Sequence, residues 1–217
     1  VPLLIPNEVR VLGSLIEKQI TTPEYYPLTL NALTLACNQK NNRNPVTALT
    51  EAEVEAALDS LREKNLAYVF YGSTSRVPKY KHVADNMHLS PLELSVICVL
   101  MLSGAQTVGE IRGRAYRLYE SSGLEEIESG LHSLATRDDP MVIKLPRLAG
   151  QKEARFAHLL AGEVHIEELD AERAVGKQSR KSAETEKIVS LEHRVEALAG
   201  EMESLRLQFE QFKKQFE

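Results

Sequence analysis

Apolar residues recur along the chain at helical spacing, in two sets that superimpose. Pro6-x-Glu8-Val9-x-Val11-Leu12-x-x-Leu15-Ile16 lies over Pro91-x-Glu93-Leu94-x-Val96-Ile97-x-x-Leu100-Met101. Each run predicts an amphipathic first helix, and on the same offset Thr22 falls on Thr107. Further along, Leu30 and Leu33 match Val108 and Ile111, the second helices. Val54, Leu58 and Leu61 match Ile127, Leu131 and Leu134, spaced four and three on one face of a third helix. Thr50-x-x-Glu53 reads as a capping box at the start of the first of these. The changing offset is absorbed by insertions around Tyr25–Leu28 and Asn41–Thr47, as surface loops would absorb it.

After each third helix the period changes from helical to strand-like. Leu66–Tyr71 is β-prone, Gly72–Ser75 has turn chemistry, and Arg76–His82 returns as a partner strand. In the second copy Met141–Leu145 leads through Pro146–Gly150 to Glu153–Leu159, with Arg155-Phe156-Ala157-His158 matching Lys79-Tyr80-Lys81-His82. Three helices followed by a hairpin is the order of elements in a winged-helix domain. The expected fold is therefore mainly α with small β-hairpins (α+β): two tandem winged-helix domains at 1–87 and 88–162, then a charged tether at 163–186 and a C-terminal coiled-coil helix at 187–217.

That last segment carries Ile188, Leu191, Val195, Leu198, Met202, Leu205, Phe209, Phe212 and Phe216, spaced three and four without a slip. Such a stripe is the seam of a coiled coil and is narrower than the apolar face of a helix packed on its own domain. An isolated helix leaves the seam in water, so a partner helix is expected. In a parallel pair Lys187 meets Glu192 and Glu201 meets Arg206 of the second copy, which favours a parallel homodimer.

Composition narrows the function classes. The 217 residues include 43% apolar residues, enough for real cores, and hold no uninterrupted apolar run of membrane-spanning length. No signal peptide is recognisable, so a cytoplasmic protein without a membrane partner is expected. Cys37 and Cys98 fall within apolar helical patterns and are expected as buried, reduced thiols. Histidines 82, 88, 132, 158, 165 and 193 are scattered without metal-ligand spacing, and no phosphate loop or nucleophile elbow occurs. No enzyme, metal or cofactor is therefore expected. His82 and His158 end equivalent strands, which points to a repeated structural role.

Net charge is −5, with 26 basic and 31 acidic residues, and the excess lies mostly in the tail, where nine basic residues face thirteen acidic ones over 163–217. In the body, cations gather at the hairpins: Arg76, Lys79 and Lys81 in the first, Arg147, Lys152 and Arg155 in the second. Others stand at Lys40 and Arg43 before the third helix, and at Arg112, Arg114 and Arg117 on or after the second helix of the second copy. These groups suit phosphate contacts, and all but Arg117 form the candidate nucleic-acid set. The third helices oppose them, with Glu51, Glu53, Glu55, Asp59 and Glu63 in one copy and Glu125, Glu126 and Glu128 in the other. Acidic side chains resist entry into a major groove, so DNA is met by hairpins and loops or these helices face a protein.

The densest polar motif, Asn38-Gln39-Lys40-Asn41-Asn42-Arg43-Asn44-Pro45, admits two readings: recognition of phosphates, or capping of the flanking helices to hold a long loop on the body. With Thr21-Thr22-Pro23-Glu24-x-Tyr26-Pro27-Leu28, Arg76-Val77-x-Lys79-Tyr80, Gly104-Ala105-Gln106-Thr107-x-Gly109-Glu110-Ile111-Arg112 and Glu153-x-Arg155-x-x-His158-Leu159, it resembles the YceH-like family of uncharacterised bacterial proteins. The resemblance implies two winged-helix domains and a cytoplasmic location, and brings no catalytic residues with it. Ala149 departs from the proline expected before Gly150. Two functions are expected to compete: a homodimeric DNA-associated regulator, and a protein-interaction adaptor like the tandem winged-helix subunits of chromosome-condensing complexes. Fold analogy supports both and decides neither.

Overall fold

A computed structural model describes residues 2–71, 77–120, 123–147 and 152–164, together with Arg194 and Met202. The first helix, α1 (Pro6–Thr21), takes proline at its start, where no amide partner is lost. A 3-10 turn at Pro23–Tyr25 leads to the two-residue strand β1 (Leu28–Thr29), then α2 (Leu30–Cys37), and a long loop reaches α3 (Glu51–Glu63). Strands β2 (Ala67–Phe70) and β3 (Lys79–His82) complete the first half. The second half repeats the order with α4 (Pro91–Ser103), α5 (Val108–Ala115), α6 (Leu124–Ala135), β4 (Val142–Lys144) and β5 (Phe156–His158). The expected helix and strand order is present, and the observed architecture is mixed α and β with small antiparallel sheets.

Capping fixes several helix starts. Thr50 accepts from the Glu53 amide while the Glu53 carboxylate accepts from the Thr50 amide at 2.8 Å, as the capping box predicts. The same reciprocal pair recurs at Ser90 and Glu93 and at Thr107 and Glu110.

One correspondence needs correcting. Thr107 caps α5, and its structural counterpart is Thr29, which accepts from the Ala32 amide at the start of α2. The strands agree: Leu28 pairs with Tyr80 as Gln106 bridges Phe156. Thr22 instead ends α1, its hydroxyl donating to the Lys18 carbonyl, and the inserted 3-10 turn carries the register onward. The pairing of Leu28–Thr29 with β3 makes the first sheet three-stranded, in the order β1-β3-β2.

The two halves share one core. Val11, Leu12, Leu15 and Ile16 of α1 and Val96, Ile97, Leu100 and Leu102 of α4 are all essentially inaccessible to solvent. Burial on this scale contributes roughly 1.5–3 kcal/mol per large side chain. Cys37 and Cys98 lie in this core as free thiols. Among the described residues no helix is long and apolar enough to cross a membrane. Apart from Met202, which is helical and 73% exposed, the C-terminal seam and the tether lie outside the described residues, save Glu163 and Val164.

Candidate functional site

The polar loop between α2 and α3 is a fastening. Asn38 stands at the end of α2, donates to the Leu49 carbonyl at 2.8 Å, and accepts from the Leu49 amide at 2.8 Å and the Thr47 hydroxyl at 3.2 Å. The Asn44 amide donates to the Leu102 carbonyl of α4 at 2.9 Å, and the Ser103 hydroxyl donates to the Asn42 carbonyl at 3.4 Å. The loop thus binds the first half to the end of α4. Its Asn44–Pro45 peptide is cis.

Arg43 supplies the main correction to the candidate phosphate contacts. Its side chain is fully buried: the guanidinium grips both oxygens of Glu17 on α1 and donates to the Ala36 carbonyl at 2.9 and 3.2 Å. Arg117 reaches the same carboxylate from the second half, so one buried carboxylate lies between two arginines on opposite sides of the repeat. Burial alone would raise the Glu17 carboxyl, but Arg43 and Arg117 outweigh it and hold it below the usual carboxylate range. Arg10 lies beside this group, donating to the Pro45 and Leu102 carbonyls, and burial together with the charge of Arg43 pulls it down to about 10.

Arg155 is the second correction. It forms a forked pair with Glu110 at 2.6 and 3.0 Å and donates to the Ala105 carbonyl at 2.8 Å, tying β5 to the start of α5. Arg114 bridges the halves through Gln106 Oε1 and Asn42 Oδ1, both at 3.2 Å. Lys40, Arg112, Arg147 and Lys152 remain exposed, and Lys79 and Lys81 are half-exposed on β3. Arg76 falls outside the described residues. Lys144, which sequence reasoning passed over, joins the second hairpin's cations: it is exposed at the end of β4, 5.8 Å from the Phe156 ring. Lys144, Arg147 and Lys152 line an open groove shared with Leu124 and Leu131 of α6.

Some of the acidity on the third helices is local chemistry. Glu53 is spent on its cap, Glu51 accepts from Asn31 at 3.1 Å, and Asp59 pairs with Arg62 at 2.8 Å. Glu55, Glu63, Glu125 and Glu128 remain exposed, so both third helices present a negative surface.

His82 and His158 close equivalent strands, opposite Ala67 and Val142 respectively. The His82 backbone amide donates to the Tyr26 hydroxyl and its Nδ1 accepts from the Ala84 amide at 3.0 Å. His82 Nε2 and His158 Nδ1 are buried without a hydrogen-bond partner, and burial lowers both imidazoles to about 4. They are neutral structural groups at the base of each hairpin. Among the described residues, no group of three or more His, Cys, Asp or Glu side chains is placed to hold a metal ion.

The family described as "Protein of unknown function, DUF480" matches residues 4–151. A UPF0502 protein of Geobacter sulfurreducens is 49% identical over 220 residues, covering 99% of both chains. One from Pelobacter propionicus is 48% identical over the same length and coverage, and one from Koribacter versatilis is 53% identical over 159 residues, 73% of this chain and 74% of its own. With matches spanning nearly the whole length, the chain belongs to the DUF480/UPF0502 family of uncharacterised bacterial proteins.

Proposed function

We propose that this chain is a non-enzymatic, dimeric tandem winged-helix protein that binds duplex DNA through its hairpins and loops. The observation that carries the reading is the sorting of its cations. Arg43, Arg117 and Arg155 are taken up by carboxylates of the body, whereas Lys79, Lys81, Lys144, Arg147 and Lys152 stand on or beside the two hairpins. Long cations on hairpins reach phosphates from outside a groove, where the acidic third helices would be repelled. Binding of this kind is weakly sequence-selective and strongly dependent on salt.

The test is a titration of a labelled duplex at several salt concentrations. Each phosphate contact adds roughly 0.9 to the slope of log affinity against log salt, so a slope of several units is expected. Replacing Lys79 and Lys152 by Ala reduces affinity and slope together. An unchanged slope, or no duplex bound at low salt, overturns the reading. Exposed Glu55, Glu63, Glu125 and Glu128 favour the alternative, an adaptor whose acidic helices grip a basic protein surface. In that case neutralising Glu55 weakens capture of the partner, whereas in a DNA complex it strengthens duplex binding.

A further inference from the structure

The two hairpins occupy equivalent places but carry different chemistry. In the first, register sets Tyr68 opposite Lys81 and Phe70 opposite Lys79. Cross-strand partners, and residues two apart on one strand, share a face, so these four side chains stand together on the outward side while Ala67, Val69 and Tyr80 face inward. Tyr68 is 41% exposed and Phe70 37%, and exposed Tyr71 and Val77 continue the surface toward the hairpin tip. Lys81 Nζ lies 5.1 Å from the Phe70 ring centroid. The strands of the second hairpin expose Ile143 and Lys144, and their one aromatic ring, Phe156, packs partly against the core.

Rings in register with ammonium groups match the two parts of a nucleotide, a flat base and a phosphate. A base pair inside a duplex offers no free face to such a ring, whereas an unpaired base does. We propose that the outward face of the first hairpin binds unpaired nucleotides, with bases stacked on Tyr68 and Phe70 and phosphates held by Lys79 and Lys81. This rests on the nucleic-acid reading for its class of partner, but it requires the rings, which duplex binding does not.

The experiment measures anisotropy of labelled strands of about 12 nucleotides, within the site size of single-strand binders, using the full chain. The strands are oligothymidylate, its RNA counterpart, an abasic strand of equal charge, and a duplex. Tyr68→Ala and Phe70→Ala are expected to lower single-strand affinity roughly ten-fold or more each, and Tyr68→Phe to keep it. The abasic strand should bind as weakly to the native chain as the normal strand binds to the ring-less variants. Both rings stand on the solvent side, and unchanged thermal melting of the variants confirms that the fold is kept. The two strand chemistries show whether DNA or RNA is preferred. Equal binding of abasic and normal strands, or native affinity in both alanine variants, overturns the proposal. Native single-strand binding without duplex binding supports it and overturns the duplex reading instead.

Discussion

The thiol of Cys98 donates to the carbonyl of Gly13 at 3.4 Å, and these two residues hold the same position in the two copies of the repeat, on α4 and α1. Equivalent residues meeting across an interface is what a local two-fold relationship produces. The two halves are therefore fastened through like surfaces, first helix against first helix. Gly13 makes the close approach possible: a Cβ built there meets the Leu102 side chain at 3.0 Å and Met101 at 3.3 Å.

A larger residue at position 13 should pry the halves apart. Gly13→Val inserts bulk where only the end of the Leu102 side chain can yield, and overpacking of this kind costs typically about 1–3 kcal/mol. The expected result is a lower urea midpoint for the whole body. Adding Leu102→Ala to the valine variant should return part of the loss, whereas fully additive losses would show that the two sites are not in contact.

Glu17, Arg43 and Arg117 should behave as one unit. Removing Arg43 leaves a buried carboxylate held only by Arg117, and breaking a buried pair in this way costs on the order of 3–5 kcal/mol. Arg43→Met should therefore be strongly destabilising in chemical denaturation, and Arg43→Met with Glu17→Gln markedly less so. A double variant as unstable as Arg43→Met alone would remove the carboxylate from the account. Under the proposed nucleic-acid reading, the salt dependence of duplex binding should not change in any of these variants that remains folded.

Acid should weaken the protein well above the range in which carboxylates protonate. Well above pH 6.5, His82 and His158 are neutral in both folded and unfolded chains. As pH falls from 6.5 toward 4, the unfolded chain takes up protons that the buried imidazoles, held at about 4, refuse. The unfolded state then binds more protons and stability declines, by up to about 3 kcal/mol for each histidine. At His82 the desolvation is partly offset by Asp85 and reinforced by Lys81. Below that window Glu93, held down to about 2 by Ser90, Ser133 and Arg137 against its burial, adds a second decline as it protonates. Denaturation midpoints between pH 7 and pH 4.5 check the first stage, which His158→Gln should reduce. An unchanged midpoint over that range would contradict neutral burial.

The elements legible from sequence were those whose signal is local. The four-and-three spacing of Val54, Leu58 and Leu61, the Thr50 and Glu53 box and the β-prone run ending at Tyr71 each fix their own segment, and the structure bears out all three. The polar loop was ambiguous because its outcome depends on partners far along the chain. Arg43 meets a carboxylate 26 residues earlier, and the same carboxylate meets an arginine 100 residues later. Glu17 gave no warning, since a glutamate near the end of a helix reads as surface until both arginines are in place. Thr22 matched Thr107 because the first helices align without a gap, and the insertion that moves the true counterpart to Thr29 begins just beyond. The paired rings on the first hairpin are not legible in the sequence, where only the lysines stand out by charge, because strand register is what sets Tyr68 and Phe70 beside them.

The C-terminal seam should set the oligomeric state. Its spacing of three and four over Ile188 to Phe216 matches the repeat of a two-stranded coil, and Met202, which lies on it, is helical and 73% exposed in the single chain. Each seam residue covered by a partner helix gains roughly 1.5–3 kcal/mol, and polar groups there forfeit the gain on both chains at once. Leu198→Glu with Leu205→Glu places like charges in the middle of the seam, so the solution mass by light scattering should fall by half. The body should remain intact, because its core lies within residues 4–160. Its melting temperature is then expected to become independent of protein concentration, as a dissociated chain requires. A mass equal to that of the native chain would place the contact between copies on the body and end the role assigned to the seam.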